Sequence, residues 1–432
     1  MSEGFPGYRL GEKAYGRIAV AMFLAGMATF AQLYSVQPLL PELADDFELT
    51  ATASTLSLSG STATLGVALL VFGPVSEVVG RTRLIHLSLF ASAVVGVLSA
   101  IAPTWPALLF LRAVEGLAIA GLPAVGMAYL REEIHDSVHA RAAGLYVAGA
   151  AMGGMSGRLI AGALGDIGGW RLGLGGVAVI ALASAVCVKL LLPPSRNFSP
   201  MPRRPAQMLK VTGRLLRDPA QLALYGIAAT FMGAFVAVYN AMSFRLVGPP
   251  YELSLAAAGL VFLVYPVGAL SSTYAGALAS RLDPRSVLPV AALITVVGLL
   301  VTLAEPLALV VVGLAVMTAG FFASHSVASG WVATRAHAGV GGTGQAASLY
   351  LFAYYLGSSV FGSLAGDAWS AGQWPAVVLL AGALLAFGLV LALLLLRTRS
   401  LHGSEPRLLK HHLSGSPDHP PREPRQAEEE RR

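Results

Sequence analysis

The sequence GPVSEVVGRTR at residues 73–83 sets three charged side chains between two long apolar runs, 53–76 and 84–102. Each run is about as long as the roughly 20 residues that a helix needs to cross a bilayer. Neither run has the polar face that marks a helix on the surface of a soluble protein. The stretch therefore predicts two membrane helices joined by a charged turn.

The remainder of the chain has the same apolar character. Of its 432 residues, 55% are hydrophobic and 12% are charged, whereas a soluble domain carries roughly 25% charged residues. Apolar side chains must therefore face lipid. The net charge of +6 would suit nucleic acid, but the cations lie in loops between apolar runs, so no nucleic-acid partner is expected. The single cysteine, Cys187, allows no intrachain disulfide, and without any metal-ligand spacing neither a metal nor a cofactor is expected.

Twelve apolar runs predict an all-α membrane protein of twelve transmembrane helices in two six-helix halves. The predicted spans are 17–36, 53–76, 84–102, 106–129, 141–165, 171–192, 221–244, 256–278, 286–304, 306–330, 344–367 and 374–396. The predicted domains are an N-terminal segment (1–16), an N-terminal six-helix bundle (17–192), a linker (193–220), a C-terminal six-helix bundle (221–396) and a disordered tail (397–432).

Lysine and arginine are distributed unequally between the two sides of these spans. All but four of the 29 fall in the termini, the linker or the loops on the same side. Only Arg171 and Arg245 lie on the opposite side, with the acidic stretch 42–48, while Arg112 and Arg158 fall inside spans. Because cytoplasmic loops carry the excess of Lys and Arg, both termini and the linker are predicted to be cytoplasmic.

The two halves of the sequence align when one is shifted by 204 residues. Matching pairs include Arg131 and Arg335, Tyr146 and Tyr350, Gly153 and Gly357, Gly162 and Gly366, and Trp170 and Trp374. A single register indicates duplication rather than shared composition. Since each repeat holds six spans, the halves are parallel repeats, with a substrate site expected between them near the middle of the membrane.

Three motifs resemble those of the major facilitator superfamily. The charged turn is similar to G-x-x-x-D-x-x-G-R-[KR]-[KR], with Glu77 in place of Asp and Thr82 in place of one basic residue. LRAVEGLAIAG in span 4 is similar to R-x-x-[QE]-G. GLYVAGAAMGGMSGRLIAG in span 5 resembles the drug/H⁺ antiporter motif G-x8-G-x3-G-P-x2-G-G, with Arg158 at the Pro position and Ala161 at a Gly position. The matching positions are Gly73, Glu77, Gly80, Arg81 and Arg83 in the turn, Arg112, Glu115 and Gly116 in span 4, and Gly144, Gly153, Gly157 and Gly162 in span 5.

The resemblance covers residues 15–396, and the strings GGMSGR and GLPAVGMAYL look most like the YnfM-type branch of bacterial transporters. It implies secondary transport of a small molecule across the bacterial inner membrane, with protons as the coupling ion. A single chain already contains both halves, so a functional monomer is expected.

The charged turn is expected to act as a gate. Arg81 would pair with Glu132 or Glu133 at the end of span 4, and Glu77 would face the N-terminus of span 11, whose free N–H groups favour an anion. Such contacts would form in one conformation and break in the other. The alternative is an ordinary charged loop that sets topology.

Arg112 and Glu115 lie inside span 4, three residues apart and hence on one helix face. Ionisable groups at that depth are costly and usually mark a transport pathway. Burial disfavours the charged carboxylate while the nearby guanidinium favours it, so Glu115 can carry a proton, with Arg112 as its modulator. A structural ion pair is the alternative.

Arg158 in span 5 would join the same polar cluster, bind an anionic substrate group, or extend to the membrane surface. The span 5 glycines Gly149, Gly153, Gly157 and Gly162 are expected to allow close packing on the other half, at span 8.

Aromatic and amide side chains inside spans suit a cavity for an amphipathic organic solute. The candidates are Gln32, Tyr34, Tyr239, Asn240, Ser243, Tyr265, His325, Tyr354 and Tyr355. Each is also compatible with simple packing, and His325 with a hydrogen-bonded core histidine.

The motifs together favour a proton-coupled efflux antiporter, with a proton symporter that imports a metabolite as the alternative. A non-transporting membrane receptor is disfavoured by the Arg112–Glu115 pair. An enzyme is not expected, because no HExxH stretch or GxSxG elbow occurs.

Overall fold

The computed structural model of the protein describes residues 5–198, 205–339 and 341–398. The α-helices in this part of the chain are α1 (Lys13–Tyr34), α2 (Leu40–Asp46), α3 (Ala51–Val79), α4 (Arg81–Ala100), α5 (Trp105–Ile119), α6 (Gly121–Glu133), α7 (Asp136–Leu191), α8 (Pro205–Leu215), α9 (Pro219–Val247), α10 (Leu255–Gly259), α11 (Tyr265–Leu282), α12 (Pro284–Val301), α13 (Leu307–Ala338) and α14 (Thr343–Leu395). Short 3₁₀ turns at Gln37–Leu39 and Leu260–Val264 continue α1 into α2 and α10 into α11.

The predicted all-α membrane architecture is confirmed in outline. The described residues contain ten continuous helical stretches that are long and apolar enough to cross a membrane. Large apolar side chains on the outer surface, such as Ile167 and Leu379, are about three-quarters exposed. Such surfaces are rare on soluble monomers, and lipid is the solvent that suits them.

Two of the ten stretches are far longer than a bilayer is thick. The helices α7 and α14 have 56 and 53 residues, and at 1.5 Å per residue each would extend about 80 Å if straight. Both contain a break in helical geometry, at Gly168–Gly169 and at Gly372–Gln373. Each break divides its helix into two segments that are each long enough to cross a bilayer.

The two breaks lie at equivalent positions of the repeat and have matching conformations. Gly168 and Gly372 have φ of −148° and −162°, and the residues after them have positive φ, +76° at Gly169 and +52° at Gln373. The turns before α3 and α10 match as well, since Thr50 and Ser254 each cap the helix that follows. Positions 204 residues apart, which match in sequence, thus also match in backbone conformation.

Close packing of the span 5 glycines occurs mainly within the N-terminal half, so the prediction that they face span 8 is wrong for most of them. Cβ atoms at Gly149, Gly153 and Gly157 would lie 2.2, 2.2 and 2.4 Å from backbone oxygens of α1. Only Gly162 meets the other half, where Leu255 O lies 2.9 Å from its Cβ position. Successive turns of α7 pack against successive turns of α1, because glycines at the contact have no Cβ atoms and let the two helices approach closely.

The linker, predicted as a loop, contains the helix α8. Its residue Leu215 is buried in the core, and Met208 O accepts a hydrogen bond from the Gln345 side chain of α14 at 3.3 Å. Residues 1–4, 199–204 and 399–432, which include most of the predicted disordered tail, lie outside the described residues.

The break in α14 provides a test of backbone strain. Gln373 has φ +52° and ψ −146°, a conformation that is essentially confined to glycine and costs other residues about 1–3 kcal/mol. We expect Gln373→Gly to stabilise the protein by about 1 kcal/mol, after the entropic cost of glycine is subtracted. Thermal unfolding of the purified full-length chain would measure the gain.

The equivalent position in α7 supplies the matched control. Gly169 already has the favoured residue, and its Cβ would lie 2.9 Å from Glu42 Oε1, so Gly169→Ala should lower the unfolding temperature. A loss of stability on Gln373→Gly would contradict the strain that we assign to this break.

Candidate functional site

Charged side chains give the helical bundle two distinct ends. We call the end that carries Arg81, Arg131 and Arg285 the basic end, and the end that carries Asp46 and Asp166 the acidic end.

Two carboxylates fasten the halves together at the acidic end. Asp166 of α7 accepts hydrogen bonds from the backbone N–H groups of Leu255 and Ala256, at 2.8 and 3.0 Å. Asp367 of α14 accepts a hydrogen bond from Thr52 Oγ1 at 2.6 Å. Each carboxylate therefore meets the first turn of a helix in the other half, where free N–H groups favour an anion. We call these contacts the acidic-end latches.

Further hydrogen bonds between the halves lie at the acidic end or near the middle of the bundle. Ser359 donates to Ser59 O at 2.8 Å. Gln37 Nε2 donates to Asn240 Oδ1 at 2.6 Å, and Ser243 donates to Gln37 O at 3.0 Å. In the part of the chain that the structure describes, we find no hydrogen bond between the halves at the basic end. The halves are therefore joined at the acidic end.

Arg112 and Glu115 form a buried ion pair at the centre of the N-terminal half. Each is 1% exposed, and Arg112 Nη1 donates to Glu115 Oε2 at 2.6 Å. The guanidinium also donates to the backbone oxygens of Ser57, Leu33 and Gln32, at 3.1, 2.9 and 3.4 Å. Arg112 thus binds both a carboxylate and the carbonyl groups at the C-terminal end of α1, where partial negative charge collects.

Space for the Glu115 carboxylate comes from a glycine on α4. A Cβ at Gly96 would lie 2.5 Å from Gln32 Nε2 and 3.5 Å from Glu115 Oε1. Gln32 donates to Ser92 O at 2.9 Å and makes a longer contact of 3.4 Å with Glu115 Oε1. The second carboxylate oxygen is therefore held only by this long contact among the described residues.

Arg158 of α7 lies in a second cluster, next to the 3₁₀ turn Gln37–Leu39 that follows α1. Its side chain is 1% exposed, so the alternative of extension to the membrane surface is wrong. Nε donates to Gln37 Oε1 at 2.6 Å and Nη1 to Gly154 O at 2.5 Å. The guanidinium lies over three rings, with its central carbon 4.1 Å from the centre of Tyr34, 4.8 Å from Phe262 and 4.9 Å from Tyr265. No carboxylate pairs with Arg158 in the described part of the chain.

Apart from Tyr34, which lies in α1, the predicted aromatic residues converge in the C-terminal half. Tyr265 contacts Tyr239 with 5.8 Å between ring centres, and Tyr354 contacts Tyr355 at 5.1 Å and His325 at 4.8 Å. Tyr350 Oη lies 3.0 Å from His325 Nδ1, as expected for a hydrogen-bonded core histidine.

Four phenylalanines and one glutamine of the site were missed by sequence reasoning. They are Phe235, Phe262, Phe321, Phe322 and Gln37. Phe235 stacks on Phe321 with 4.0 Å between ring centres and so connects the ring of Tyr265 to that of Tyr354. Phenylalanines inside apolar spans carry no signal that separates a cavity from a core, but Gln37 beside Pro38 at the end of a span is a recognisable exception.

The charged turn forms its own cluster at the basic end. Arg81 pairs with Glu77 at 2.8 Å and with Glu132 at 3.0 Å, as predicted for one of the two glutamates. Glu133 is not a partner of Arg81, because its carboxylate accepts the backbone N–H groups of Arg196 and Asn197 at 2.7 and 3.0 Å.

The predicted contact of Glu77 with the N-terminus of span 11 is not made in this structure. Glu77 is engaged by Arg81 instead, and the residue before α14, Gly342, gives that helix no side-chain cap. Of the motif glycines, Gly80 supplies the φ of +94° that separates α3 from α4, whereas a Cβ at Gly73 or Gly144 would meet open space. Arg83 is exposed.

Another ion pair at the basic end joins Asp218, which lies just before α9 and outside the membrane-spanning stretches, to Arg335 in the last turn of α13. Arg335 donates to Asp218 at 2.7 and 2.8 Å. Burial raises the pKa of Asp218, but the hydrogen bonds and charge of Arg335, together with backbone N–H groups of Ala220 and Gln221, outweigh burial and hold that pKa below its ordinary value.

Comparisons with known proteins agree on the kind of protein to which this site belongs. A family profile described as Major Facilitator Superfamily matches residues 18–361. The chain is 42% identical to the inner membrane transport protein YnfM of Escherichia coli K12 over 385 residues, 89% of this chain and 90% of that protein. It is 41% identical to the MFS-type transporter YybF of Bacillus subtilis over 371 residues, 86% of this chain and 91% of that one.

Solved structures show the same fold at low sequence identity. The crystal structure of a bacterial homologue of the human lysosomal transporter Spinster aligns with a TM-score of 0.70 at 16% identity, over 89% of this chain and 95% of that one.

Proposed function

This chain belongs to the Major Facilitator Superfamily, a family of membrane transporters and not of enzymes, and from that premise we propose that it is a proton-coupled secondary transporter of a small organic molecule. The observation that carries the proposal is the buried Arg112–Glu115 pair. Breaking a buried ion pair usually costs about 3–5 kcal/mol because one charge is left uncompensated.

Protonation of Glu115 would avoid most of that cost. The carboxylate would become neutral, and Arg112 would keep the backbone oxygens of Ser57 and Leu33 as acceptors at 3.1 and 2.9 Å. Leu33 O lies at the C-terminal end of α1, where the partial negative charge of the helix stabilises the guanidinium without a counterion. Glu115 can therefore load and release a proton without disrupting the surrounding helices.

The topology that we propose has twelve spans, because each of the broken helices α7 and α14 would cross the bilayer twice. The basic end would face the cytoplasm, together with both termini and the linker, as the distribution of Lys and Arg favours. The relative YnfM is named as an inner membrane protein, which supports a bacterial inner membrane location. Both halves lie in one chain, which supports a functional monomer.

Alternating access would exchange contacts at the two ends. The acidic-end latches hold this conformation, in which Arg81 pairs with Glu77 and α14 begins without a side-chain cap. In the opposite conformation the latches would open and Glu77 would approach the N-terminus of α14, where an anion is favoured.

Export by proton antiport is the direction that the span 5 motif supports. The motif positions Gly153 and Gly157 pack directly on α1, the helix that supplies Gln32 to the Glu115 site. Movement of span 5 would thus reach the proton site through α1.

Proton symport is a second candidate, and the charge of Arg158 favours it. With Glu115 ionised, the two clusters hold two guanidinium groups and one carboxylate. A negatively charged solute would be held best when Glu115 is protonated, so proton and solute would cross together. Solute entry into proteoliposomes should acidify the external medium for an antiporter and make it alkaline for a symporter.

Replacement of Glu115 tests proton coupling. A toxicity screen in cells with and without the protein would first identify a transported compound. In everted vesicles, we expect Glu115→Gln to lose accumulation driven by a pH gradient while exchange of labelled for unlabelled compound at equal pH persists. Infrared titration of the purified protein should show a protonated carboxyl band that Glu115→Gln lacks.

The matched control is Glu42→Gln, which neutralises a half-buried glutamate at the acidic end whose carboxylate accepts the Trp170 N–H. It should keep pH-driven accumulation. Uphill transport by Glu115→Gln at the wild-type level would refute its role as the proton carrier.

Removal of the acidic-end latches tests alternating access. We would place a single cysteine at Ser59, which is buried and adjacent to the seam, in a Cys187→Ser background. Because both carboxylates are exposed to solvent, we take about 0.5–1.5 kcal/mol for each of the three hydrogen bonds that they accept. Asp166→Ala with Asp367→Ala should therefore speed labelling by an impermeant maleimide from the acidic side at least about tenfold.

The control is Asp46→Ala, because Asp46 bonds to Trp170 and Arg171 within its own half. It should leave the labelling rate unchanged. The latches would be excluded as a gate by unchanged labelling in the double variant.

A further inference from the structure

We propose that Arg158 is the binding site for a single anionic group of the transported molecule, a carboxylate or sulfonate, whose aromatic body packs on the rings of the C-terminal half. The inference rests on the proposed transport function only in calling this ligand the substrate; the binding site itself is argued from geometry.

Arg158 has more donor capacity than the described residues use. A guanidinium has five N–H donors in a rigid fork that matches a carboxylate. The acceptors found in the described part of the chain are Gln37 Oε1 and Gly154 O, and both are neutral. The edge of the guanidinium that bears Nη2 therefore has capacity for a charged acceptor.

Of the other buried arginines, Arg245 also lacks a carboxylate partner among the described residues, but it lies in the last turn of α9 rather than deep inside the bundle. Arg112 has Glu115 as its counterion. Arg245 lies toward the acidic end and donates to the backbone oxygens of Thr302 and Ala304, at 2.7 and 3.1 Å. A membrane-embedded cation without a carboxylate is costly and usually functional, and the three cation–π contacts of Arg158 offset that cost only in part.

Residues of both halves surround Arg158. Tyr34 and Gln37 come from the N-terminal half, while Phe262 and Tyr265 come from the C-terminal half. A ligand bound here would therefore contact both halves and respond to their relative movement, as alternating access requires.

The surroundings of Arg158 define the rest of the ligand. From Tyr265, ring contacts continue through Phe235 and Phe321 to Tyr354, with centre-to-centre distances of 6.0, 4.0 and 6.3 Å. Aromatic faces and edges favour offset or edge-on contact with another ring. One cation beside a row of rings fits an aromatic monoanion better than a sugar or a polyanion.

Three probes that share one ring system and differ in charge test the assignment: 1-naphthoate, 1-naphthamide and 1-naphthylmethylamine. Equilibrium binding to the purified full-length protein would be measured at one pH. A charge-assisted hydrogen bond is worth about 1.5–3 kcal/mol, so naphthoate should bind at least about tenfold more tightly than the amide, and the amine should bind most weakly.

Arg158→Gln should remove the preference for naphthoate over the amide, and Arg158→Lys, which keeps the charge, should retain part of it. Arg171→Gln is the control, because it removes a cation that is paired with Asp46 at the acidic end, and it should leave all three affinities unchanged. Gel filtration would confirm that each variant is folded.

The assignment is overturned if the wild type binds none of the probes, if naphthoate and naphthamide bind equally, or if Arg158→Gln keeps the preference. Because binding needs no flux, naphthoate binding without pH-driven transport of any compound would contradict the proposed function and leave the anion site intact. Proton-coupled transport of neutral or cationic compounds only would support the proposed function and contradict the anion site.

Discussion

The contact between Arg112 and the C-terminal end of α1 determines the arrangement of the rest of the site. The last turn of α1 has backbone carbonyl groups without helical partners, and the hydrocarbon interior offers no water to satisfy them. The Arg112 guanidinium donates hydrogen bonds to two of these carbonyl groups, Gln32 O and Leu33 O. It also donates to Ser57 O of α3 and to the Glu115 carboxylate. One side chain therefore joins α1, α3 and α5 where the chain turns from α1 toward α2.

Ionisable side chains inside apolar spans were the members of the candidate site that were easiest to select from the sequence. Arg112, Glu115 and Arg158 were selected as candidates because ionisable residues rarely occur in apolar spans without a function. Their partners were harder to find, since Phe262 beside Arg158 has the same composition signal as any packing residue. Spacing also could not tell which neighbour the glycine stripe of α7 would meet, because helices of both halves are equally apolar.

The fold was predicted at the level of helices and repeat, and the details that were wrong depend on tertiary contacts. The charged turn shows the limit clearly. Glu132 and Glu133 are adjacent in sequence, yet one faces Arg81 and the other accepts backbone N–H groups at residues 196 and 197. A helical rotation of about 100° between neighbours separates their roles, and the position of residues 196 and 197 is set by a loop without a periodic pattern.

The two repeats differ in their contribution to the site, since the first half supplies the buried Arg158 and the second half supplies most of the aromatic rings. The position equivalent to Arg158 in the second half is Gly362, whose carbonyl oxygen accepts a hydrogen bond from Asn240 at 3.1 Å. Asn240 in turn accepts from Gln37, and Gln37 accepts from Arg158. A hydrogen-bonded chain thus runs from the charged half to the half that supplies the rings. Gln32, beside the proposed proton carrier Glu115, and Gln37 lie five residues apart where α1 ends. A shift of this short segment on protonation of Glu115 would be transmitted directly to Asn240 and α14.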